Sequence, residues 1–155
     1  LLEIIEADEP LGFFKTISLD NIEPFTIVLH QPGLLHELRW DGNDKHEKAL
    51  DIANNYIWSS STLYTDQVIE YRKNLFDRFI HSADGITAAT VHDFHASNNG
   101  DAENGFVISR QTGMKTFSIT QAVVQNNAVN FSHADLLQGK RYSETMLINH
   151  TAIKI

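Results

Sequence analysis

Ile57-Trp58-Ser59-Ser60-Ser61-Thr62-Leu63-Tyr64-Thr65 is the stretch on which the reading of this chain turns. It reads as a strand through Tyr56-Ile57-Trp58 that runs into a loop of four successive hydroxyl side chains, Ser59 to Thr62. A periodic helix follows directly. Thr65 stands as its N-cap and Asp66 in its first turn complements the helix dipole. Val68, Arg72, Leu75, Phe76 and Phe79 recur at helical spacing, with Ile69 and Ile80 widening the stripe, while Glu70, Lys73, Asn74 and Asp77 face water. Gly85 marks the region of the C-cap. Junctions of this kind expose polar side chains and free helix N–H groups at the end of a sheet, where ligands are often held.

Working upstream, Leu1 to Ala7 reads as the last turns of a helix. Pro10 then opens a short helix carrying Leu11, Phe14 and Ile17. Phe25 to His30 is an apolar strand, and Gln31-Pro32-Gly33 a turn. In the next strand Leu34, His36, Leu38 and Trp40 share one face, and Leu35, Glu37 and Arg39 the other. Asp41-Gly42-Asn43-Asp44 ends that arm, and residues 45–53 read as a short helical turn. Downstream, a second helix spans roughly Thr87 to His95. Phe106 to Arg110 leads through Gln111-Thr112-Gly113 into a strand at Lys115 to Val124, where Phe117, Ile119, Gln121 and Val123 alternate with Thr116, Ser118, Thr120 and Ala122. Asn126-Asn127 turns into a return strand with Val129, Phe131 and His133 on one face, and a last strand runs from Tyr142 to Asn149. Two hairpins bracketing a helical pair make the fold α+β.

The 155 residues suit one domain, and 42% hydrophobic residues supply a core. Twelve Lys+Arg against twenty Asp+Glu leave a net charge of −8. An acidic balance without a basic stripe argues against nucleic acid as a partner. No Cys is present, which excludes disulfides, thiolate metal sites and a cysteine nucleophile within these residues. No apolar run approaches the ~20 residues of a membrane span.

The eight histidines raise the question of a metal. His92 and His95 lie on one helix face, but a zinc site needs a further convergent ligand, so surface histidines are the preferred account and no metal or other cofactor is expected. His36, on an apolar strand face, reads as a hydrogen-bonded core histidine, and His133 carries the same ambiguity. Ser59, Ser60 and Ser61 would be nucleophiles only with a base brought from elsewhere, and no G-x-S-x-G elbow exists. Lys115, beside Gly113, would steer an anionic substrate, against the simpler reading of a solvated strand-end lysine. Trp40, Trp58 and the phenylalanines fall at core-facing spacings.

Several segments together resemble the NRDE family, the group that includes the transport and Golgi organisation protein 2 relatives. They are Ile22-Glu23-Pro24-Phe25-Thr26, Leu38-Arg39-Trp40-Asp41-Gly42, Ile57-Trp58-Ser59-Ser60-Ser61-Thr62-Leu63-Tyr64, the helix residues Arg72 and Phe76, and Lys115-Thr116-Phe117-Ser118-Ile119-Thr120. The Trp-Ser-Ser-Ser-Thr-Leu-Tyr block is the most specific. The resemblance implies an αββα N-terminal-nucleophile hydrolase-like sandwich, cytoplasmic in character, in which a terminal Cys attacks an amide or acyl bond with its own α-amino group as base. This chain departs from that pattern, with no Cys, no Asn-Arg-Asp-Glu run and a Leu at position 1. The expectation is therefore that residues 1–155 form the C-terminal portion of a single NRDE-type domain, inactive alone, with a homodimer or the absent N-terminal segment covering its exposed faces. By the same analogy Ser59, Ser60, Ser61 and Lys115 line the pocket for a small amide, acyl or apolar ligand. The alternative is a non-catalytic binding or trafficking module for such a ligand.

Overall fold

Phe25–Gln31 (β1), Leu34–Trp40 (β2) and Lys45–Leu50 (β3) form a three-stranded antiparallel sheet in the order β1-β2-β3. The computed structural model describes residues 1–31, 33–60, 62–82 and 85–148. It separates into two units, Leu1–Lys73 and the residues from Asn74 onward. The chain is mixed α+β with two such three-stranded sheets, one per unit.

In the first unit the register gives the sheet two unlike faces. On one, Phe25, Ile27 and Leu29 stand beside Trp40, Leu38 and His36, and the rows end on Lys45, Glu47 and Ala49. Helix α1 (Leu2–Glu6) supplies Ile4 and helix α2 (Pro10–Thr16) supplies Phe14, which join Leu19, Leu38 and Trp40 in the core. Leu38 is 0% exposed, and the Trp40 indole N–H donates to the Ile22 carbonyl at 2.9 Å. Phe14 meets Phe25 edge to face, which suits the quadrupoles of the two rings. Lys45 reaches from β3 to donate to the Lys15 and Ile17 carbonyls, satisfying the orphan acceptors at the end of α2. His36 keeps its place on this face, its Nδ1 3.2 Å from Glu47 Oε1.

Residues 45–50 are therefore a strand and not a helical turn. The segment KHEKAL carries no apolar alternation, because it is an edge strand held by its ladder to β2; charged residues on an edge also discourage further pairing. Tyr56-Ile57-Trp58 likewise is not a strand; the segment carries no ladder partner and no regular secondary structure.

Helix α3 (Asp66–Ile80) has the expected start, the Val68 N–H donating to Thr65 Oγ1 at 3.4 Å. It stops at Ile80, where the His81 N–H still bonds to the Asp77 carbonyl, so Gly85 lies beyond the cap and not at it. In the second unit Thr87 caps helix α4 (Ala88–His95) in a reciprocal box with Thr90, at 3.1 and 2.8 Å. Phe94 stacks on Phe79 at 4.6 Å and packs against Phe106 at 4.4 Å. Gly105 is required here: a Cβ on it would lie 2.1 Å from the Asn98 carbonyl oxygen.

Ser118–Gln125 (β4), Ala128–Asp135 (β5) and Lys140–Leu147 (β6) form the second sheet in the order β4-β5-β6. The strand expected from Lys115 begins only at Ser118. Ahead of it the ladder is reduced to a single bridge between Ser109 and Lys115, because Thr116 Oγ1 takes the Ile108 N–H at 2.9 Å. Phe106 to Arg110 forms no strand for the same reason, and Phe117 is exposed rather than inward. The last strand begins two residues earlier than expected, at Lys140, and Asn149 lies outside the described residues.

One stability prediction arises from the Asp41 turn and from β3. The Asp44 N–H, the His46 side chain at 2.7 Å and the Asn43 N–H hold Asp41 far below the usual carboxylate range. Lys15 at 2.7 Å is the main cause of the lowering at Glu47, with His36 adding to it. Folded values depressed below unfolded ones give stability that is present above the ordinary carboxylate pKa of roughly 4 and lost as pH falls through the folded values. Both tryptophans lie in the first unit, so fluorescence-monitored melting reports on it. Its Tm should fall between about pH 5 and pH 2, and Asp41→Asn should flatten that decline. An unchanged slope in the variant would remove Asp41 from the explanation.

Candidate functional site

The opposite face of the first sheet is polar. Its rows run from Thr26 through Arg39 to His46 and from Val28 through Glu37 to Lys48, and its last row ends on Leu50. Over it lie the segment Tyr56 to Ser59 and the start of α3, and a cleft of about 470 Å³ opens between them. Arg39, Lys48 and Lys73 contribute three cations to its wall against the two carboxylates of Glu37 and Asp66. Glu37 is already engaged, since its Oε2 accepts from the Trp58 indole N–H at 2.8 Å. The wall thus carries a formal excess of one positive charge in a chain of net charge −8.

Trp58 was expected in the core but remains 37% exposed. Its ring is oriented from two sides, by Glu37 and by Tyr56, whose centroid lies 5.7 Å away at a 31° tilt. Next to it Ser59 is held from below. The Arg72 Nε donates to Ser59 Oγ at 3.0 Å, and the Arg72 guanidinium carbon lies 4.5 Å from the centroid of the Tyr64 ring. Burial pulls the Arg72 pKa down, opposed by the Tyr64 hydroxyl. A hydroxyl that accepts from a charged donor retains its own proton for donation, and the bond it accepts strengthens that donation. Trp58 and Ser59 also wall a second, adjoining cleft of about 300 Å³, together with Pro24, Phe25, Thr26 and Ser60.

Compared with family models, curated proteins and solved structures, this chain matches none. Ser59 and Ser60 line clefts of the first unit, and Ser60 Oγ lies 3.2 Å from Thr62 Oγ1. Ser61 lies outside the described residues. Lys115 belongs to the second unit, exposed beside Gly113, whose φ of +89° closes the small hairpin. The charged residues Arg39, Lys48 and Lys73 were missed as a group. The alternation of Leu35, Glu37 and Arg39 gave the signal for one of them, but Lys48 was hidden because β3 reads poorly as a strand.

In the second unit His92 and His95 face a separate cleft of about 310 Å³ with Phe106 and Ile119. His92 Nδ1 is 3.3 Å from Asp93 Oδ1. Among the described residues no three His, Asp or Glu side chains converge on a point. Thr120 Oγ1 lies 2.9 Å from His133 Nδ1 across the β4–β5 ladder. Among the described residues no helix is long and apolar enough to cross a membrane.

Proposed function

We propose that the first-unit cleft binds a small molecule bearing a carboxylate or an acyl carbonyl. The observation that carries this reading is the wall of Arg39, Lys48 and Lys73 beside a Trp58 whose indole N–H is clamped by Glu37. The cations attract the anionic head, and the Ser59 hydroxyl, held by Arg72, donates to it. We further propose that the chain is NRDE-type and belongs to the αββα N-terminal-nucleophile hydrolase-like class. The Ile57 to Tyr64 block and two antiparallel sheets with flanking helices support that assignment. With no cysteine among its 155 residues, this chain offers binding rather than thiol chemistry. In an intact protein with an N-terminal Cys, the same cleft would hold the amide or acyl substrate of a hydrolase.

The test is an NMR titration that follows the Trp58 indole N–H and the Lys48 and Lys73 side chains with hexanoate, and in parallel with hexan-1-ol. Hexanoate is expected to shift all three saturably, with weakening at high salt because the head is held by partly exposed charges. An equal response to the alcohol, or no saturable response to hexanoate, would overturn the reading.

A further inference from the structure

The charged cleft and its neighbour share Thr26, Trp58 and Ser59 as common walls. Their remaining walls differ in chemistry. The larger cleft carries Arg39, Lys48 and Lys73, whereas the smaller carries Pro24 with hydroxyls and, among the described residues, no ionisable group. A site with a cationic compartment joined to an uncharged aromatic one fits a ligand with two unlike ends. The smaller compartment, about 300 Å³ beside the Pro24 pyrrolidine and the Trp58 indole, has room for one six-membered ring and its nearest substituents. Trp58 is pre-oriented by Glu37 and Tyr56, so stacking against it costs little ordering of the side chain.

We propose that the two clefts act as one bipartite site for an aromatic carboxylate. The ring lies between Pro24 and Trp58, the carboxylate lies toward Arg39, Lys48 and Lys73, and Ser59 donates at the joint. This rests on the carboxylate reading above and narrows it to a planar, aromatic ligand. A flat ring gains offset or edge contacts with Trp58 that a puckered ring of similar size does not.

The experiment compares benzoate with cyclohexanecarboxylate on the whole chain, by NMR titration with intermolecular NOEs. Benzoate should bind roughly three- to tenfold tighter than the saturated acid, the gain of one aromatic contact. Its ring protons should show NOEs to Trp58 and Pro24. Trp58→Leu should erase the preference while both acids still bind weakly, and the wild-type comparison decides alone if that variant does not fold. Equal affinity of the two acids overturns the aromatic inference and leaves the carboxylate reading standing. Binding of neither acid overturns both.

Discussion

Leu38→Ala should lower the stability of the first unit by about 2–5 kcal/mol, the range for a fully buried leucine truncated to alanine. Leu38 lies at the centre of β2 with 0% exposure, and Ile4, Phe14, Leu19 and Trp40 share its cluster. Its ladder partners are Ile27 on one side and Glu47 on the other, so backbone pairing fixes the void that truncation leaves. The helices that cover it are short, five and seven residues, and derive little stability from their own hydrogen bonds. They depend on this apolar face, and loss of Leu38 should therefore release them together. Denaturant unfolding followed by tryptophan fluorescence measures the effect. A loss below about 1 kcal/mol would mean that the cluster does not organise the unit.

Arg72→Met should cost roughly 2–3 kcal/mol, a figure set by a hydrogen bond to a charged group and a cation–π contact, less the relief of a buried charge. Arg72 is 8% exposed, bonded to Ser59 Oγ and stacked over Tyr64. Methionine retains much of the aliphatic length, so the packing change is smaller than with alanine. The same variant should weaken hexanoate binding, because Ser59 loses the donor that holds it. Arg72→Lys should restore little of the binding, since an ammonium lacks the planar guanidinium that faces Tyr64. Stability within about 0.5 kcal/mol of the parent, with unchanged hexanoate affinity, would show that the guanidinium has no positioning role.

The elements with strong periodicity or chemistry at their ends were legible in the sequence. The α3 stripe from Val68 to Ile80, the Thr65 and Thr87 caps and the Asn126-Asn127 turn all stand where the residues place them. Three regions were not, each because tertiary pairing outweighed local pattern. β3 carries Lys45, His46, Glu47 and Lys48 and becomes a strand through its partner β2. Tyr56-Ile57-Trp58 has strand composition but no ladder, and its aromatic rings meet each other and Glu37 instead. The segment before Ser118 alternates well, yet a Thr116 side chain takes the place of a ladder acceptor.

The site was legible to a similar degree. Ser59 and Ser60, which line the clefts, stand out in the sequence because a run of hydroxyls before a helix is visible in one dimension. The cations were not, since Arg39, Lys48 and Lys73 come from two strands and a helix and meet only once the register is fixed. Arg72 was read as part of an otherwise apolar stripe; its burial follows from a partner 13 positions away in sequence.

The most direct test is the hexanoate titration repeated on a variant carrying Arg39→Gln, Lys48→Gln and Lys73→Gln, with folding checked by the fluorescence melt. The expected result is a folded protein in which saturable hexanoate binding is lost, while the Trp58 indole N–H keeps its hydrogen-bonded shift to Glu37. Hexanoate affinity equal to that of the parent would contradict it, because the carboxylate would then be held by something other than this wall.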